Sequence, residues 1–355
     1  MPLLGTPGSA VGRRRHLFNR WFSKRTVARQ VRPSNHINGI WTLAFVPGSD
    51  LVVSGSHDGT CRVWSTQDSS KMVGDSMFHG WPVYAVVIFA DGRTIASGGS
   101  DGKIVVWDLQ SGRRVRGWST GQRSVDLLSL SPDGKLLVTG SDRGMLNIWN
   151  PSTGKLITGP LKLHTASIRS VSFSPDGSKI ATASFDKTIR VVRNHPGHET
   201  VVALEAHDRP VTSVAWSVDG QRLVSGSVDT TVKFFNSSTG SLLATCHGHT
   251  NTVTCIVVSP NGEVVMSASE DTTVRLWSTS TFQQVAMTRR HPCRVWSLAL
   301  SPDGCYLAGA GSDRRVHIWV VRRRGPPLIA NEVCRLSPRE QISVAVVSFC
   351  RYTTS

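Results

Sequence analysis

One interval recurs along the whole chain. Strand-like runs end at Trp64, Trp107, Trp149, Val192, Phe235, Trp277 and Trp319, and neighbouring members of this set lie 42 or 43 residues apart. A period this steady marks a repeat architecture and constrains the fold more than any local propensity. Each unit reads as strand, turn, strand, turn, strand, as in "VDLLSLSPDGKLLVTGSDRGMLNIW" over residues 125–149. The alternation of apolar positions and the Gly, Asp and Asn turns between them predict antiparallel hairpins. About 40 residues per unit leaves room for four short strands, the content of one propeller blade. The expected fold is all-β, a seven-bladed β-propeller of four-stranded antiparallel blades over residues 35–320.

Composition narrows the function. The chain is 39% hydrophobic and 18% charged with 32 glycines, which suits a packed, turn-rich protein. No apolar run approaches the roughly 20 residues that a membrane-spanning helix needs. The seven cysteines form no C-x-x-C pair and are odd in number, which argues against a disulfide framework or a zinc site and suits a reducing, cytoplasmic setting. The net charge of +16 resembles a nucleic-acid signal until it is divided: residues 1–34 carry +8, residues 321–355 carry +4, and +4 remains for the body.

Here the residues carry a resemblance. The seven copies, with Trp107–Asp108 as an intact Trp-Asp pair, resemble the WD-repeat β-propeller family. The stretch "TGKLITGPLKLHTASIRSVSFSPDG" over residues 153–177 also resembles fungal WD-repeat arrays found with signalling NTPases. The resemblance implies a buried polar set per blade: a histidine before the first strand, a hydroxyl in the second, an aspartate in the next turn and a tryptophan in the third. Three units match fully, as His36, Ser54, Asp58, Trp64; His79, Ser97, Asp101, Trp107; and His249, Ser267, Asp271, Trp277. The fourth keeps His164, Thr182 and Asp186 and ends at Val192, and the fifth keeps His207, Ser225 and Asp229 and ends at Phe235. The seventh has His291, Asp313 and Trp319 but Gly309 for the hydroxyl, and the third keeps only Thr139 and Trp149, with Gly121 and Arg143 in the other places. In each set the Asp is expected to hold the imidazole, which bridges to the hydroxyl and the indole; such a chain stiffens a blade only when every member is satisfied. Blades three and four are the expected weak points.

A recurring His, Ser and Asp invites comparison with a hydrolase triad. A triad needs one exposed nucleophile beside an oxyanion site, whereas here the set repeats at positions the period marks as buried. Histidines one repeat apart lack the short spacing of a metal motif, and "GGSDGK" at residues 98–103 lacks the phosphate-loop spacing. No enzyme, metal site or cofactor is expected.

The resemblance implies a protein-interaction scaffold or adaptor, with partners held on one end face, crowded by residues just before the turn Asp and early in the first strand. These positions vary between repeats, and seven of their residues are the candidate protein-binding set: Trp41, His57, Tyr84, Arg169, Phe185, Glu270 and Trp296. The partners expected are other proteins, bound by a monomeric propeller within a complex. The basic ends leave alternatives open. "GRRRHLFNRWFSKRTVARQ" over residues 12–30 suits an anionic membrane surface, a mitochondrial transit peptide, nuclear import, nucleic acid or a solvated tail. Ring closure is expected from Thr26–Arg32 or from Pro327–Val333, and residues 342–350 read as a further strand, either closing or opening an unfinished repeat.

Overall fold

A computed structural model describes residues 29–30, 36–67, 72–285 and 288–321. Those residues form seven four-stranded antiparallel sheets, each continuous in chain order except the last. Blade six is representative, with Val253–Val258 innermost, then Val264–Ser269, Thr273–Ser278 and the short outer strand Arg289–Arg290. Blade seven supplies Val295–Leu300, Tyr306–Gly311 and Val316–Val320, and its fourth strand is Arg29–Gln30, with Arg29 opposite Ile318 and Gln30 opposite His317. The N-terminal side therefore enters the ring; Pro327–Val333 and residues 342–350 lie outside the described residues.

The core sits between blades. Leu43 and Phe45 of blade one pack against Ala299 and Ala308 of blade seven, large side chains meeting small ones across the seam. Burying a side chain such as Phe45 stabilises by about 1.5–3 kcal/mol. Around the inner circle, Ser170 Oγ accepts from Val214 N–H (3.1 Å), Ser213 Oγ from Ile256 N–H (2.9 Å) and Ser297 Oγ from Leu43 N–H (3.1 Å). Each bond joins consecutive blades, and the last joins seven to one.

Two local features position side chains at the ends of the ring. In six blades the first strand skips one residue in its pairing, and the skipped residues are Trp41, Tyr84, Arg169, Thr212, Thr254 and Trp296. A bulge of this kind re-aims the extra side chain. The residue after the turn Asp, or after Arg143 in blade three, has φ between 66° and 83° in all seven blades; it is Gly59, Gly102 and Gly144 in the first three, then Lys187, Thr230, Thr272 and Arg314. At Gly144 a Cβ would run into the backbone carbonyl of His164, so both the turn and the neighbouring chain require glycine there.

Candidate functional site

Three blades carry the complete polar relay. In blade one the Trp64 indole N–H donates to Ser54 Oγ (2.8 Å), Ser54 Oγ lies 2.8 Å from His36 Nε2, and His36 Nδ1 lies 2.7 Å from Asp58 Oδ2. Blade six repeats this with Trp277 to Ser267 (2.9 Å), Ser267 to His249 (2.7 Å) and His249 to Asp271 (2.8 Å). Blade two joins Trp107 to Ser97 at 2.8 Å, with the His79 ring turned so that Nδ1 meets Ser97 and Nε2 meets Asp101. The hydroxyl, rather than the imidazole, is the hub. It accepts from the indole and donates to a neutral imidazole, whose other N–H donates to the carboxylate.

Burial disfavours the charged imidazole more than Asp58 favours it, so His36 lies below the ordinary histidine value; His79, His164 and His207 shift the same way for the same reason. Burial also opposes the Asp58 carboxylate, but hydrogen bonds from His36 and Thr60 prevail and hold it well below the usual carboxylate range. Asp186 is likewise lowered, to about 2: burial opposes this, and the bond from Thr188 and the His164 ring outweigh it. Ser54, Ser97 and Ser267 are fully buried, which leaves none of these hydroxyls open to attack a substrate.

The other blades depart in informative ways. In blade five Phe235 replaces the indole, and His207 still reaches Ser225 and Asp229, each at 2.7 Å. In blade four His164 Nε2 lies 2.8 Å from Thr182 Oγ1, while Nδ1 lies 3.0 Å from both Asp186 Oδ2 and Thr188 Oγ1. Val192 thus removes one donor into a hydroxyl lone pair and orphans no N–H. Blade three keeps the bond from Trp149 to Thr139 (3.1 Å), and the Gln122 amide beside the missing histidine is buried without a hydrogen-bond partner. Blade seven is rewired. Asp313 was expected to hold His291; instead Asp313 Oδ2 lies 2.6 Å from Nε2 of His317, a residue the sequence reading passed over. Trp319 has taken the space of the absent hydroxyl, since a Cβ on Gly309 would lie 2.6 Å from its ring.

The candidate protein-binding residues fall into separate groups. Trp41 and Trp296 stack with centroids 4.2 Å apart and planes 9° apart, and Tyr84 meets Trp41 edge-on at 6.0 Å. His57 completes this group, 6.5 Å from Trp41 and 6.4 Å from Tyr84. In blade four the Arg169 guanidinium lies 4.5 Å over the Phe185 ring. Glu270 stands apart in blade six, its carboxyl pushed up by burial against the pull of Arg294. Trp41, Tyr84 and Arg169 are buried, while His57, Phe185, Glu270 and Trp296 are part-exposed.

Sequence reasoning missed three apolar residues beside the first group. Ile37 (76% exposed), Phe78 (70%) and Trp81 (57%) surround the turn that follows His57. Ile37 N–H donates to Asp58 (3.1 Å), Phe78 pairs with Thr60, and the Trp81 backbone lies against Gly59. The available signal was an apolar residue one or two places from a relay histidine, where a loop wants polar ones.

With this geometry in hand, comparisons with known proteins are specific. The family model "WD domain, G-beta repeat" matches residues 29–65, 75–108, 112–150, 155–192, 198–236, 240–278 and 282–320. The chain is 35% identical over 95 residues to WD repeat-containing protein SL1-17 of Schistosoma mansoni, covering 26% of this chain and 30% of that one. It is 30% identical over 88 residues to a guanine nucleotide-binding protein subunit beta of Oryza sativa subsp. japonica, covering 24% and 23% respectively. The matched stretch is thus under a third of either relative's own length. Among solved structures, the WD40 β-propeller domain of Doa1 superimposes with a TM-score of 0.73 at 27% identity, covering 84% of this chain and 97% of that one.

Proposed function

The chain belongs to the WD domain, G-beta repeat family, and from that premise we propose that it docks a protein partner on the end face where blades seven, one and two meet. Propellers of this family are typically non-catalytic protein-interaction scaffolds. The observation that carries the finer reading is the exposed trio Ile37, Phe78 and Trp81 around the turn after His57, whose ring in turn meets the packed Trp41 and Tyr84. Exposed aromatic and aliphatic side chains over a rigid base are what an interface needs, because little side-chain freedom is then lost on binding. The buried residues of the set act as the support and the exposed ones as the contact. Arg169–Phe185 and Glu270 are secondary positions on the variable surface. The propeller works as a monomer within a complex, without catalysis, and its place is cytoplasmic, in keeping with seven cysteines that form no C-x-x-C pair.

The test is the paired change Ile37→Asp and Trp81→Ala in the full chain, followed by quantitative affinity purification and a thermal melt. The expected outcome is at least a tenfold loss of specific co-purifying proteins with a melting point within about 2 °C of the parent. Unchanged recovery sinks the reading. Recruitment to nucleic acid or an anionic membrane through the basic ends rests on sequence charge. It would appear instead as binding that falls steeply with salt and disappears on deletion of residues 1–28.

A further inference from the structure

Blade seven gathers chemistry that its relay no longer uses. His291 and Cys293 sit in the connection before Val295–Leu300, Asp313 in the turn after Tyr306–Gly311, and His317 in Val316–Val320. One ligand-capable atom from each of His291, Cys293 and Asp313 lies within 4.8 Å of the others. Cys293 Sγ is 3.4 Å from His291 Nδ1 and accepts from the Asp313 backbone N–H at 3.3 Å. The His291 and His317 rings are 4.3 Å apart. His291 is buried, and its Nε2 has no hydrogen-bond partner, because Gly309 offers no hydroxyl.

We propose that His291, Cys293 and Asp313 form a binding site for a zinc-class divalent cation, with His317 as the positioning residue that holds the Asp313 carboxylate. A nitrogen, a sulfur and an oxygen donor suit zinc, whose ligand set is drawn from these three. The donors lie within 4.8 Å of one another, wider than the roughly 3.3–3.6 Å that bonds to one tetrahedral ion impose, so the part-exposed Cys293 and Asp313 must draw inward on binding. Two anionic ligands balance a divalent charge in a half-buried place. Three protein ligands leave a fourth position for water, the arrangement of an open zinc site. His317 donating to a ligating carboxylate matches the outer-shell bonds that orient such ligands. The set is particular to this blade. Two places after the histidine position the other repeats have Asn38, Trp81, Arg123, Ala166, Arg209 and Asn251. At the place of His317 they have Arg62, Val105, Asn147, Arg190, Lys233 and Arg275. A thiol must give up its proton to ligate, so affinity rises with pH.

The experiment is titration of the metal-free, reduced full chain with Co²⁺, followed by displacement with Zn²⁺. One equivalent should bind with tetrahedral visible bands and a near-ultraviolet thiolate-to-cobalt band, both lost on adding zinc. Cys293→Ser should abolish the thiolate band, His291→Ala should weaken binding at least tenfold, and His317→Gln should weaken it by about 10- to 100-fold. Cys293→Ser keeps an acceptor for the Asp313 N–H, so it reports on the site even where His291→Ala disturbs folding. A weak octahedral spectrum with no sulfur band overturns the proposal, and so does a thiolate band that survives Cys293→Ser.

Discussion

Blade four lacks the indole at the end of its relay, and blade seven lacks the hydroxyl in the middle. In blade four the remaining bonds from Thr182 to His164 and from His164 to Asp186 stay at 2.8 and 3.0 Å, because the lost partner was only a donor into a spare lone pair. In blade seven no hydroxyl joins the imidazole to the indole: His291 Nε2 is orphaned, its Nδ1 meets Cys293 instead, Trp319 lies over Gly309, and Asp313 turns to His317. A terminal donor can be deleted locally, whereas a hub cannot, since its neighbours must each find a new partner or go without.

The largest test of this contrast replaces the two histidines in turn. His164→Leu removes the ring that Asp186 and Thr182 both use and should cost about 3 kcal/mol. His291→Leu in metal-free buffer should cost only about 1 kcal/mol, because its Nε2 bonds to nothing and its Nδ1 meets only Cys293, two residues away. Equal falls in the denaturant midpoint would break the comparison.

Acid sharpens it next. Burial, helped by the neighbouring His317, lowers His291 to about 4, and burial also lowers His164. The unfolded chain takes up these protons first, below about 6.5, so stability should be full above pH 7 and decline as pH falls toward 4. His291→Leu should therefore lose less stability than the parent between pH 7 and pH 4.5 in a melting series. A variant that tracks the parent across that window would show that His291 is not held neutral.

The smallest effect should be the same in both blades. Lys187 and Arg314 occupy the left-handed turn position with φ of 73° and 66°. Changing either to Gly should raise stability by about 0.5–1 kcal/mol, as the Cβ penalty is relieved. Unequal gains would place part of the difference between the blades in their turns rather than in their relays.

The repeat period made the blade number and the hairpin order legible, because the apolar alternation within each unit is a backbone property. In blades one, two, four, five and six the relay members were legible too, since they stand at fixed offsets from Trp64 and its counterparts; in blade seven they were not. The bonding order was not. Spacing tells which side chains share a blade, and only their distances show that Ser54 stands between Trp64 and His36. The first-strand positions of Trp41, Tyr84 and Trp296 were picked for their variation; that they are bulge residues depends on pairing register, which alternation leaves open by one residue. His317 was hidden because the other repeats carry unrelated residues at its place. The cluster around Cys293 was hidden because Asp313 lies 20 residues beyond Cys293 and meets it only through the pairing of the blade. Most of the basic ends, from which several functions were read, lie outside the described residues.

The strand Arg29–Gln30 precedes six blades in sequence and pairs within the seventh. In the order of synthesis, the first described strand to leave the ribosome meets its partner only when Val316–Val320 has been made. The same holds for the seam: Leu43 and Ser297, joined at 3.1 Å, are 254 residues apart along the chain. Intermediate blades can form as they emerge, but the circle closes as a late, single event. A nascent chain halted before blade seven would expose two unmatched blade faces, which gives quality control a clear mark of an unfinished molecule.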